Sequence, residues 1–171
     1  AYIVNFGYYS LRAMRYLYVP IVVIENGFSK DTLGMVLTLG IVPYLILSEP
    51  MGRLVKRFGA RFWLTLGFMS FAIFSMWATV AHGWMLLAIF VLWQISGACM
   101  ESVHDLLFFD TAKKSQQARF YGVFRTSVNM PNFLTPMLAA ICIAIFGSTS
   151  SVWLVTAAVG VISTMVLWAR K

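Results

Sequence analysis

The sequence predicts an all-α fold: a bundle of six transmembrane helices with both termini on the cytoplasmic side. Three observations predict it. Of 171 residues, 60% are hydrophobic and only 11% are charged, at a mean hydropathy of +0.80; a soluble domain carries about 25% charged residues. The apolar residues fall into stretches close to the roughly 20 residues that a helix needs to cross the hydrocarbon core. The cations cluster in the connectors between those stretches. A net charge of +7 would suggest nucleic acid as partner in a soluble protein. Here membrane topology accounts for it, the expected surroundings are the lipid bilayer, and no nucleic-acid partner is expected. A soluble bundle of such helices would expose too much apolar surface.

The first span runs about 2–24, ended by Glu25-Asn26-Gly27. The second runs about 31–51, with Ser29 in N-cap position. The third covers about 62–80, the fourth 84–110, the fifth 120–146 and the sixth 152–169. The fourth and fifth exceed the minimum length, so tilt or extension beyond the membrane is expected. Pro20, Pro43, Pro131 and Pro136 fall inside spans and are expected to kink them. Cys99 and Cys142 also lie inside spans and read as packing residues. No basic leader with a small-residue cleavage site precedes the first span, so no cleavable signal is expected. The chain starts at Ala1, almost inside a span, which suggests a fragment or one half of a longer protein.

Orientation follows from the cations. Arg53, Lys56, Arg57 and Arg61 follow the second span; Lys113, Lys114, Arg119 and Arg125 surround the loop after the fourth; Arg170 and Lys171 follow the sixth. These ten of the thirteen Lys and Arg share one side, which the positive-inside rule makes cytoplasmic. Lys30 alone lies on the other side.

The segment Gly52-Arg53-Leu54-Val55-Lys56-Arg57-Phe58-Gly59-Ala60-Arg61 reads as a short connector whose glycines let two helices turn closely. It resembles the Gly-x-Leu-x-Asp-Arg-x-Gly-Arg-Arg loop between the second and third helices of major facilitator transporters. Gly52, Leu54, Arg57, Gly59 and Arg61 match; Lys56 replaces the Asp and Ala60 the first Arg of the closing pair. Asp110 to Gly122 is similar to that family's loop between its fourth and fifth helices. Asn132-Phe-Leu-Thr-Pro136-Met-Leu-Ala-Ala140 resembles a degenerate Gly-Pro-x-x-Gly-Gly stretch. The resemblance implies one six-helix half of a twelve-helix fold, with the other half as partner. It also implies secondary active transport of a small solute, with H+ as a possible coupling ion, in a bacterial cytoplasmic (inner) membrane. Lys56 in place of the acid, and a fourth span without Arg, point to the C-terminal half. The family's Asp joins a cytoplasmic charge network, a task that Lys56 cannot perform because it accepts no hydrogen bond. Asp110 and Glu49 are the acids available to replace it. The loop from Gly52 to Arg61, with Asp110, is thus a candidate cytoplasmic gate.

Ionisable groups inside a membrane are costly, roughly 2.5–3.5 kcal/mol at mid-helix on insertion scales, and are functional candidates for that reason. Arg12 and Arg15 lie three residues apart on one face of the first span. Glu101, His104 and Asp105 lie in the fourth. With a helix continuing to Asp110, Glu101 and Arg12 fall at similar depth, about 15 Å from the cytoplasmic end at 1.5 Å per residue. The family's first and fourth helices line its central cavity, so Glu101 is expected to pair with Arg12 or Arg15 there. An Arg would attract a carboxylate-bearing solute, and a carboxylate between apolar walls could exchange a proton. The same pair could instead only fix helix packing. His104, Asp105 and Glu49 read as structural groups near the cytoplasmic interface. Asn5, Gln94, Asn129 and Asn132 are polar groups within spans that either hydrogen-bond across helices or face the pathway, Asn129 being a pathway candidate.

Enzymatic readings fail on the residues. Gly52 to Arg61 lacks the Gly-Lys-Ser/Thr ending of a phosphate loop. Ser96 has no histidine on another span at its depth. Glu101, His104 and Asp105 lack a nearby second His or Cys to complete a metal site. No enzyme activity, cofactor or metal is expected. The rival function is a non-transporting scaffold or receptor on the same fold.

Overall fold

The computed structural model describes residues 2–104 and 117–169. Among the described residues it holds six helices: α1 (Tyr2–Glu25), α2 (Lys30–Phe58), α3 (Ala60–Ala78), α4 (Trp84–Glu101), α5 (Gln117–Phe146) and α6 (Ser151–Ala169). The fold is all-helical, as the sequence predicts.

Five of them, α2 to α6, are long and apolar enough to cross a membrane. α1 is as long, at 24 residues, but not apolar enough by composition. It carries Asn5, Ser10, Arg12, Arg15 and five tyrosines, and the bundle takes in part of this set. Asn5, Ser10 and Arg15 are all buried. The cost of polar groups in lipid is offset by placing them against other helices.

Two helix limits differ from the expected connectors. The cationic segment after the second span is not a loop from Gly52. α2 continues through it to Phe58, and the chain reverses at Gly59 alone, with φ 84°. Leu54, Val55, Lys56, Arg57 and Phe58 contain no helix breaker, so the helix propagates until a residue that adopts positive φ freely. Gly52 is an ordinary helical residue with open space where a side chain would be, and plays no part in the turn. The fourth helix ends at Glu101 rather than near Asp110, with a turn over Ser102–His104. Asp105, Asp110, Lys113 and Lys114 lie outside the described residues. Ser29 does cap α2, its hydroxyl accepting from the Thr32 N–H at 3.2 Å. α2 and α5 each run through two prolines as continuous helices.

α1 packs on α5 and α6, α2 on α4, and α3 on α4 and α6. Exchanging α1 with α4, α2 with α5 and α3 with α6 leaves this pattern unchanged: α1–α5 becomes α4–α2, and α1–α6 becomes α4–α3. The bundle is therefore two interlaced three-helix units. An odd number of antiparallel helices per unit makes the second copy inverted. The core is aromatic. Trp93 of α4 meets Trp153 of α6 at 5.3 Å between ring centroids and Phe71 of α3 at 5.1 Å. Where α3 crosses α6 the backbones nearly touch, and a Cβ on Gly160 would lie 2.9 Å from the Phe68 carbonyl oxygen.

The outer faces of α2 and α5 are apolar and open. Leu45 is 74% exposed and Phe133 72%, a surface that water would not tolerate but lipid or another helix would.

Candidate functional site

α1 brings both arginines to one side and hands them to different helices. Arg12 Nη1 donates to Glu101 of α4, at 3.0 Å from Oε1 and 3.1 Å from Oε2. About a third of each side chain remains exposed. Arg15 is buried, and its Nη1 donates to the Tyr44 hydroxyl of α2. The Tyr16 ring lies against both guanidiniums, 5.6 Å from Arg12 and 4.7 Å from Arg15. Gly97 of α4 makes room for this arrangement: a Cβ there would fall 2.5 Å from the Tyr44 hydroxyl and 2.6 Å from Arg15 Nη1.

The early end of α4 places Glu101 on its last turn, where helix-end carbonyls are open to side-chain donors. His104 is one such donor. Its Nδ1 donates to the carbonyls of Glu101 at 2.9 Å and Met100 at 3.3 Å. In the neutral ring Nε2 is then an acceptor, and the Tyr9 hydroxyl donates to it at 3.3 Å. The imidazole also stacks on Tyr8, centroids 4.5 Å apart. His104, buried on α1, thus fixes the turn that presents Glu101.

Between α1, α2 and α4 lies a hollow of about 390 Å³. Arg12, Glu101, Tyr16, Tyr44, Gln94 and Gly40 contribute to its wall, with Pro20, Leu37 and Ile41 giving it an apolar side. Gly40 faces Gln94 so closely that any side chain at 40 would displace the amide. A second hollow, about 260 Å³, lies on the α5 side of Arg12 and Tyr16 and is bounded by Asn132 and Pro136. A third, about 400 Å³ between α1, α5 and α6, has an apolar lining with only Ser10, Thr135 and Ser163 as polar members. It lies away from the ion pair.

The sequence-predicted residues are thus divided. Arg12 and Glu101 meet in the hollow and Arg15 stands behind its wall. Asn129 is exposed on α5 and lines none of these three hollows; Asn132, three residues on, borders the second. The cationic segment is remote from this layer. Glu49 pairs with Arg53 at 3.4 Å on the open surface of α2, and Arg57 lies over Phe58 at 5.3 Å. Lys56 and Arg61 are exposed. Tyr16, Tyr44 and Gly40 are wall residues that sequence reasoning missed, because an aromatic or glycine in an apolar span carries no signal of its own. Arg12 to Tyr16 and Gly40 to Tyr44 share the four-residue spacing of one helical face, the one available hint.

Among the described residues no three His, Cys, Asp or Glu side chains come together as metal ligands. No curated protein matches the chain. The sequence model of the Major Facilitator Superfamily matches residues 1–171. Helical composition, interlaced three-helix units and that match agree: this is an integral, multi-pass membrane protein that belongs to the major facilitator superfamily, a family of transporters.

Proposed function

We propose that the chain is one six-helix half, the C-terminal one, of a secondary active transporter that moves a small solute by alternating access with proton coupling. One observation carries this reading: the Arg12–Glu101 pair, held between α1 and α4, opens onto a hollow large enough for a small molecule. An ion pair within the membrane costs desolvation energy that packing alone does not require. Partial exposure lets the pair be remade. A proton arriving at Glu101 removes its charge and frees Arg12, and departure of that proton restores the pair. Alternation between these two arrangements couples proton movement to solute occupancy. The open apolar faces of α2 and α5 are where the other six-helix half would pack, leaving α1 and α4 towards the shared pathway. Lys56 in place of an acid supports the second-half assignment. A bacterial inner membrane, whose anionic cytoplasmic face holds basic protein segments, suits the cation distribution.

The test is reconstitution of the full-length protein in liposomes under an imposed proton gradient. The wild type is expected to accumulate a solute, and Glu101→Gln to lose gradient-driven accumulation while retaining downhill exchange. Absence of accumulation for every solute tried, with Glu101→Gln changing neither uptake nor binding, would leave the scaffold or receptor reading in its place.

A further inference from the structure

Arg15 is 3% exposed, deeper than Arg12, yet it meets no carboxylate among the described residues. Its Nη1 bonds a neutral hydroxyl, Tyr44, and its Nε has no hydrogen-bond partner. The rings of Tyr16 and Tyr44, 4.7 and 5.4 Å from its guanidinium carbon, are its other company. Both rings are walls of the 390 Å³ hollow. A cation in this environment retains more of its field than one in bulk water, since it is buried and no carboxylate among the described residues pairs with it. Arg12 on the same wall engages Glu101 through Nη1 alone. Its remaining donors have no partner among the described residues and can form a second charge-assisted contact.

We propose that the hollow binds a solute bearing a single anionic group, a carboxylate or its equivalent, on an apolar body. The proposal rests on the transport reading of this site. The anionic group takes the unused donors of Arg12, and the body packs on Tyr16, Leu37 and Ile41. Arg15 does not touch the solute. It is a positioning residue that stands one side chain behind the wall and supplies the positive charge that no described carboxylate matches. Its bond to Tyr44 also polarises that hydroxyl, making it a stronger donor to whatever it meets.

The experiment is equilibrium binding to the full-length transporter in lipid nanodiscs, without any gradient, using benzoate, benzamide and benzylamine. These share size and ring and differ in charge. Benzoate is expected to bind about ten- to a hundredfold more tightly than benzamide, the range set by hydrogen bonds to charged groups, and benzylamine least. Arg15→Gln is expected to shrink the benzoate preference without abolishing it, since Arg12 still meets the anionic group, while leaving benzamide binding unchanged; Arg15→Lys is expected to keep the full preference. Benzamide binding is the internal check that each variant is folded, and the wild-type ranking needs no variant. Equal binding of benzoate and benzamide, preference for benzylamine, or binding of none of the three overturns the proposal. So does an Arg15→Gln protein that binds benzamide normally and prefers benzoate as strongly as the wild type. Because no gradient is applied, benzoate binding without accumulation in liposomes would sink the transport reading and leave this one standing.

Discussion

At the residue scale, the site depends on how two arginines of one helix face are partnered. Arg12 reaches an acid and Arg15 a phenol, because Glu101 and Tyr44 sit on different helices, α4 and α2. The decisive small residue is Gly97. A methyl group there would fall within 2.6 Å of both Arg15 Nη1 and the Tyr44 hydroxyl. Gly97→Ala is expected to force α2 and α4 apart, at an overpacking cost of about 1–3 kcal/mol. The measurement is a lowered melting temperature in detergent, and an unchanged one would mean that the three side chains repack freely. His104→Phe keeps the stacking on Tyr8 but removes the donor to the Glu101 carbonyl. It is expected to raise the concentration of solute needed for half-maximal uptake through misplacement of Glu101; uptake kinetics unaltered in this variant would confine the histidine to packing.

At the element scale, crossings and turns each rest on a few atoms. α3 and α6 touch through Gly160, where a Cβ would meet the Phe68 carbonyl at 2.9 Å and Ala72 Cβ at 3.2 Å. Backbone cannot move aside as a side chain can, so Gly160→Val is expected to destabilise the bundle more than Gly52→Val, which enters open space. Melting curves of the two proteins compare them directly. The α2–α3 reversal rests on Gly59 at φ 84°. Gly59→Ala places a side chain at φ 84° and ψ 151°, a region essentially confined to glycine, at a cost of about 1–3 kcal/mol that a melting curve would register. α1 is tied to α5 by Asn5, whose amide donates to the Ser127 hydroxyl at 2.8 Å. Asn5→Ala is expected to cost about 0.6 kcal/mol, the mean for interhelical side-chain bonds in a membrane protein. A loss several times larger in steric-trap unfolding would mark α1 as more than packed.

At the scale of the whole molecule, the described connectors fall at two ends of the bundle. Glu25 and Thr149, from the α1–α2 and α5–α6 ends, are joined at 3.1 Å, as residues on one side of a membrane should be. Arg53, Lys56, Arg57 and Arg61 lie at the opposite end, around the Gly59 turn. A thiol introduced as Lys56→Cys is expected to react with an impermeant reagent only from the cytoplasmic side, and one introduced as Thr149→Cys only from the outside. The reverse pattern would invert the topology.

The amino-acid sequence by itself determined the membrane class and the helical fold. These depend on composition and on span length, which are properties of the chain before it folds. It also supplied Arg12, Arg15 and Glu101, since a charge in an apolar span stands out without any coordinates. The depth argument that paired Glu101 with Arg12 assumed a helix reaching Asp110, whereas α4 stops at Glu101, in a Ser-Val-His turn that carries no Gly or Pro to announce it. Likewise the cations after the second span read as a loop, whereas Arg53, Lys56 and Arg57 lie in the last two turns of α2 and Arg61 in the first turn of α3. Only tertiary structure decided which arginine takes the acid, that Tyr16, Tyr44 and Gly40 wall the hollow, and that α1 buries Asn5, Ser10 and Arg15 among its neighbours. Those outcomes depend on which helices lie side by side, and spacing along one helix contains no information about the residue opposite.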